Sequence, residues 1–193
     1  LRHEIPPDLA SRLTGLRLDG ILRRGKYLLL DCESSARGGW IILHLGMSGS
    51  LRLVPPETPP RKHDHVDLVF GQSVLRLRDP RRFGAVLWHA GGDVESHPLL
   101  AALGVEPLSE GFSGDWLYAA TRRRRVAIKP LLMDSHLLVG VGNIYAAESL
   151  FRAGISPLRT ADRISLARYR RLVAAIRATL EAAIAAGGSS VRD

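Results

Sequence analysis

Residues 74–88 read Val74-Leu75-Arg76-Leu77-Arg78-Asp79-Pro80-Arg81-Arg82-Phe83-Gly84-Ala85-Val86-Leu87-Trp88. An alternating run of apolar and basic residues stops at a proline turn, and an apolar run resumes just after a glycine. Period-two alternation is the mark of a strand with one buried face, and Asp-Pro followed by Gly is turn chemistry. The stretch therefore predicts strands over Val74–Arg78 and Ala85–Trp88, the first with one wet, positive face. No helix fits between them, which points to a protein of closely spaced antiparallel strands. The turn itself carries Arg81, Arg82 and Phe83, a large aromatic among cations where burial would be the ordinary fate.

Working outward, the same habit recurs in Lys26–Leu30, Trp40–Leu45 and Val66–Phe70, all short apolar runs bounded by glycine and polar residues. Residues 8–16 suit a short helix ahead of them. Closely spaced strands without intervening helices predict an antiparallel sandwich or barrel. The pattern changes around Gly104-Val105-Glu106-Pro107-Leu108, after which helices are expected over Asp115–Arg123, Ile144–Arg152 and Ser165–Ala186. The last has Leu166, Tyr169, Leu172, Val173, Ile176, Leu180 and Ile184 on one stripe and Gly187-Gly188 as its stop. The expectation is an α+β chain of two domains, residues 1–104 and 105–193.

The chain has 193 residues, 46% hydrophobic and 24% charged, which suits folded domains with real cores. Its formal net charge of +8 points to a polyanionic partner, nucleic acid or an anionic membrane, with nucleic acid a better reading than solvated charge alone. Lys26, Lys62 and Lys129 are its only lysines, so arginine carries the charge. Cys32 is the single cysteine, which excludes an internal disulfide and a cysteine zinc site built from these residues. No apolar run reaches the length of a membrane span and nothing resembles a signal peptide, so a cytoplasmic, reducing location is expected.

Leu138-Val139-Gly140-Val141-Gly142-Asn143-Ile144-Tyr145-Ala146 is the sharpest local motif. Its glycines permit a tight turn, and Asn143 is expected as the N-cap of the helix that follows. Exposed amides at such a helix start, with the positive end of the dipole, favour a phosphate. The string is also G-x-G-x-x-A, and Leu137-Leu138-Val139 would serve as the strand of a dinucleotide site. The acidic partner that such a site needs has only Asp162 at the right distance, in a turn followed by a helix, so a dinucleotide-cofactor enzyme is the weaker alternative. The run Arg122-Arg123-Arg124-Arg125 precedes this loop and extends a phosphate-binding face. In Lys62-His63-Asp64-His65-Val66-Asp67, His63 and His65 would share one side of a strand. Two histidines without a third ligand make a poor zinc site, so phosphate contact or structural hydrogen bonding is the better reading.

The blocks RRGKYLLL, WIILHLGMSGSLR, KHDHVDLVF, LRDPRRFGAVLW, AIKPLLMD and VGVGNIYAAESLFRAGISP stand in one order along nearly the whole chain. Together they resemble bacterial formamidopyrimidine-DNA glycosylase, the base-excision enzyme family for oxidised purines. The resemblance implies an N-terminal antiparallel β-sandwich followed by an all-helical helix-two-turn-helix domain, with DNA bound between them. It implies that Met47, Arg81 and Phe83 fill the void left when the damaged nucleotide is flipped out. It also implies that Lys26, His63, Arg124, Lys129 and Asn143 contact phosphates, with Arg82 in the same DNA-binding turn, and that Lys26 takes part in proton transfer during strand cleavage. The implied partner is double-stranded DNA carrying oxidised purines or abasic sites, bound by a monomer.

The chain departs from the family pattern at both ends. The family's nucleophile is the amine of an N-terminal proline followed by glutamate, whereas this sequence opens Leu1-Arg2-His3-Glu4. Pro6 and Pro7 are no substitute, because their nitrogens are amides. The family also carries a four-cysteine zinc finger, so one zinc ion is expected in the full-length protein and no cofactor in this chain. The expectation is a stretch that binds DNA with little glycosylase activity. A non-catalytic relative that binds damaged DNA is the other reading.

Overall fold

The alternating run around Arg76 is the middle strand of a three-stranded antiparallel sheet in the computed structural model, which describes residues 1–32 and 38–188. The described chain clusters into two units, Leu1–Ala101 and Ala102–Asp193. In the first, a short helix α1 (Leu9–Leu13) precedes strands β1 (Leu18–Arg24), β2 (Tyr27–Cys32), β3 (Gly39–His44), β4 (Ser50–Val54), β5 (Asp64–Phe70), β6 (Ser73–Arg78) and β7 (Ala85–Ala90). One sheet runs β1-β2-β3-β7 and the other β4-β6-β5, every pairing antiparallel. Leu30, Ile41, Leu43 and Val86 of the first sheet share a core with Leu77 of the second, flanked by Leu51, Val66 and Leu68. That is sheet-on-sheet packing, the sandwich expected from the spacing of the strands.

Three details differ from the sequence reading. The face of β6 expected to be wet and positive is covered at Arg76, which is 6% exposed. Its guanidinium donates to both Asp67 carboxylate oxygens at 2.8 Å and to the carbonyls of Thr58 and Pro59. Burying that charge is tolerable only because its donors are satisfied. Lys26, read as the first residue of a strand, instead sits with Gly25 in the two-residue turn between Arg24 and Tyr27 that joins β1 to β2. His63 does not alternate with His65 along β5, because His63 lies ahead of the strand with a left-handed φ of 77° and the ladder is irregular between Asp64 and Val66.

The second unit is helical: α2 (Pro98–Ala101) closes the first, and α3 (Gly114–Thr121), α4 (Ile128–Met133), α5 (Asn143–Arg152) and α6 (Leu166–Ala185) build the second. α6 packs on α3 and α5, and α4 packs on α5. Tyr169, Leu172, Val173, Ile176 and Leu180 of the expected stripe are buried. Ile184 is 65% exposed, because the last turn of α6 runs past the core. Gly187 and Gly188 donate back to Ile184 and Ala183, the paired bonds that terminate a helix through a left-handed residue. The strand proposed over Leu137–Val139 does not form. Leu138 makes one isolated bridge to Val105, and no strand is found among the described residues of this unit. A dinucleotide site of the strand–turn–helix kind therefore has no strand to stand on.

Candidate nucleic-acid interface

One end of the sandwich collects the first-unit candidates by connectivity alone. β1 ends at Arg24 and β2 starts at Tyr27; β3 ends at His44 and β4 starts at Ser50; β5 starts at Asp64; β6 ends at Arg78 and β7 starts at Ala85. Lys26, Met47, His63, Arg81, Arg82 and Phe83 all lie in the segments that close this end.

Asp79 holds that end together. It is completely buried, yet its carboxylate is satisfied by the Ser48 hydroxyl on one oxygen at 2.7 Å and the Gly84 amide on the other at 2.7 Å. The Arg81 amide donates to Ser48 Oγ at 3.2 Å, and the Arg82 amide to the Asp79 carbonyl at 3.3 Å. That carbonyl also accepts from His65 Nε2 at 2.9 Å, while the Asp79 amide donates to the His63 carbonyl at 3.0 Å. Burial alone would raise the carboxyl pKa. The donors from Ser48, Gly84 and Arg81 and the nearby His65 reverse this and hold it below its ordinary value. A sequence reading sees Asp79 as the opening of a turn. In the fold its carboxylate joins loop 45–49 to loop 79–84.

Close backbone approach reinforces this joint. Gly46 has φ of +64°, and a Cβ there would lie 2.6 Å from the Phe83 carbonyl carbon. On this base stand side chains that are not withdrawn into the core: Met47 is 73% exposed and Phe83 45%. The Arg81 guanidinium lies 5.0 Å from the centroid of the Phe83 ring, within cation–π range. An aromatic and a thioether thus stand outward on two joined loops, with the Arg81 cation against the ring.

His44, absent from the sequence-derived candidates, belongs to this end. It pairs in register with Tyr27, the rings 4.9 Å apart, and its Nδ1 accepts the Gly46 amide at 3.0 Å. That bond fixes the tautomer and leaves Nε2 as the donor. Burial, then the charges of Lys26 and Arg2, pull its pKa below the usual imidazole value. Lys26 projects from its turn, and crowding by protein atoms lowers its ammonium pKa in the same sense. The signal in the sequence was the His-x-Gly-Met spacing, which read only as the end of a strand.

The second unit holds the other three candidates. Arg124 is exposed just after α3, with its amide on the Thr121 carbonyl and its carbonyl accepting from Asp162. Lys129 is half-buried in the first turn of α4. Asn143 is exposed, but Gly142 occupies the N-cap position and Asn143 is the first residue of α5. Gly142 has no side chain to cap the helix, and Gly140, at φ of +76°, supplies the reversal ahead of it. Leu138, Val139 and Val141 are buried and anchor the loop from below. Among the described residues no group of three or more His, Cys, Asp or Glu side chains is placed to hold a metal ion. With Cys32 the single cysteine, these residues do not fit a four-cysteine zinc centre.

Two family models match the chain along almost its whole length. The formamidopyrimidine-DNA glycosylase N-terminal domain matches residues 1–86, and the formamidopyrimidine-DNA glycosylase H2TH domain matches residues 103–193. The chain belongs to the formamidopyrimidine-DNA glycosylase family. It is 64% identical to the formamidopyrimidine-DNA glycosylase of Dechloromonas aromatica and 62% identical to that of Aromatoleum aromaticum, over its entire length in both cases. It spans 70% and 69% of those two proteins. Among solved structures, a complex of Lactococcus lactis Fpg with DNA containing an abasic site superposes with a TM-score of 0.89 at 34% identity, covering 96% of this chain and 67% of that one. MutM in complex with DNA containing carbocyclic 8-oxo-G superposes at 0.88, also at 34% identity, covering 96% and 68%. The α+β architecture, sheets first and helices after, is that of the family. No helix among the described residues is long and apolar enough to cross a membrane.

Proposed function

We propose that this protein works in base excision repair as a DNA glycosylase for oxidised purines, formamidopyrimidine and 8-oxoguanine. The observation that carries the reading is the outward wedge of Met47, Arg81 and Phe83 on the Ser48–Asp79 joint, in a chain of this family. Flipping a nucleotide out of a duplex forfeits stacking worth roughly a few kcal/mol, and inserted apolar side chains recover part of it. Phe83 stacks on a neighbouring base, Arg81 stacks and hydrogen-bonds the orphaned partner, and Met47 conforms to the remaining gap. Lys26 and the Nε2 donor of His44 hold phosphates beside the wedge, with His63 and Arg82 on the same end. Arg124, Lys129 and Asn143 hold phosphates from the second unit. The partner is double-stranded DNA, bound by a monomer in the cytoplasm.

In the intact protein a secondary amine attacks the sugar C1′, expels the base, and forms an imine that undergoes β- then δ-elimination. Lys26 serves proton transfer in that sequence. Its lowered pKa supports the role, because a crowded ammonium releases its proton more readily than a free one. Pro6 and Pro7 are internal and carry amide nitrogens, so neither supplies the amine of this chemistry.

Borohydride trapping on an oxoguanine duplex tests the reading. The product of the whole gene gives a covalent protein–DNA adduct if imine chemistry operates. Tight binding to damaged duplex with no adduct and no released base would replace this reading with that of a non-catalytic damage-binding relative.

A further inference from the structure

The second unit carries an open cavity of about 590 Å³ lined by Arg125, Leu158, Arg159, Thr160, Asp162 and Arg163. Its walls are two chain segments zipped antiparallel by main-chain bonds. Ile128 donates to the Arg159 carbonyl at 2.9 Å, Ala161 to the Val126 carbonyl at 3.0 Å, and Asp162 to the Arg124 carbonyl at 3.2 Å, around the bridge of Ala127 to Thr160. The floor is fixed from beneath: Ala161 and Ile164 are buried, and the Tyr169 hydroxyl, inside the core, donates to the Ala161 carbonyl at 3.1 Å. The arginines thus stand on a preorganised frame.

None of Arg125, Arg159 and Arg163 makes an ion pair among the described residues, although Asp162 lines the same cavity. Elsewhere in the chain, arginines close to carboxylates are paired, as Arg170 is with Asp115 and Arg152 with Glu148. Three guanidinium groups against one carboxylate leave an excess of positive charge for an anion. No aromatic ring lines the cavity, so nothing there would stack on a base or other planar group. Planar forked donors without a stacking surface match the oxygens of a phosphate.

We infer that the cavity formed by Arg125, Arg159, Thr160 and Arg163 is a phosphate-binding site, separate from the Lys129 and Asn143 contacts. Its ligand is a phosphodiester of bound DNA, for which the continuity with Arg124 argues, or a free phosphate group. The first source rests on the DNA-binding function proposed above.

The test uses the chain carrying both Arg159→Ala and Arg163→Ala, beside the parent and Lys129→Ala. Both arginines are exposed, and an unchanged melting temperature checks that the fold survives. Duplex affinity is measured across a potassium chloride series, and backbone amide shifts of Thr160 and Arg163 are followed as orthophosphate is added. A DNA phosphate at this site lowers the log–log salt slope of the double variant by about 1, on the scale of roughly 0.9 per phosphate contact. Saturable orthophosphate shifts with an unchanged DNA slope assign the pocket to a free phosphate. An unchanged slope together with flat amide shifts overturns the site. A parent chain that shows no salt-dependent duplex binding overturns the DNA reading itself, and the orthophosphate titration still reports on the pocket.

Discussion

The Ser48 hydroxyl donates to the buried Asp79 carboxylate at 2.7 Å, and this bond ties the loop that carries Met47 to the loop that carries Arg81 and Phe83. Ser48 also accepts the Arg81 amide, so both members of the pair face each loop. The proposed insertion of Met47 and Phe83 into a duplex would rest on this base.

Asp79→Asn tests the joint. Asparagine replaces one of the two acceptor oxygens by an NH2 donor, so either the Gly84 amide meets a donor in place of its acceptor or the Ser48 hydroxyl can no longer donate there, at a cost of about 1–3 kcal/mol. The depressed carboxyl pKa sets the pH behaviour. The ionised form stabilises the fold fully above the ordinary value of 3.8, and that contribution fades as pH falls through the lower folded value. Urea unfolding is expected to show a deficit for the variant at neutral pH that narrows below about pH 3.8. A deficit independent of pH would mean that the charge of Asp79 contributes nothing.

Gly46→Ala places a methyl 2.6 Å from the Phe83 carbonyl carbon, on a backbone at φ of +64° that disfavours a side chain. Loop 79–84 must give way. The expected result is a loss of about 1–3 kcal/mol in stability, with weaker binding to abasic-site duplex than the stability loss alone would cause. Binding equal to the parent at matched folded fraction would show that the wedge does not depend on this contact.

His44 is expected to titrate below its ordinary 6.5 and to remain neutral at pH 7 with its proton on Nε2. Because its folded pKa is depressed, its contribution to stability is complete above 6.5 and is lost as pH falls through the lower folded value. Nitrogen chemical shifts of the imidazole measure both the tautomer and the pKa. A proton on Nδ1 at neutral pH would contradict the Gly46 contact.

Where the sequence was legible, one face of an element carried the signal. β3 and β7 read as apolar runs because the core lies on them, and α6 read as a stripe because it packs on two neighbours. β1 and β4 were missed for the converse reason: each lies at a sheet edge with mostly exposed or half-exposed residues, and Ile21 and Leu22 of β1 are more than half exposed. α4 was missed because Pro130 sits in it. As the third residue of the helix, however, Pro130 lacks only an amide that would have had no partner there. Arg76 was misread because its partners Asp64 and Asp67 come from β5, through a register that no local window contains. In the site, Phe83 among arginines stood out by its composition. His44 and the carboxylate of Asp79 did not, because what distinguishes them is a bond to a distant or turning segment.

The most direct measurement compares the affinity of the parent and of Phe83→Ala for a duplex containing an abasic site and for the same duplex undamaged. The parent is expected to prefer the abasic duplex, and the variant to lose most of that preference while its binding to undamaged duplex changes little. Equal losses on the two duplexes, or a preference that survives removal of the ring, would contradict the wedge and with it the proposed way in which this protein probes DNA.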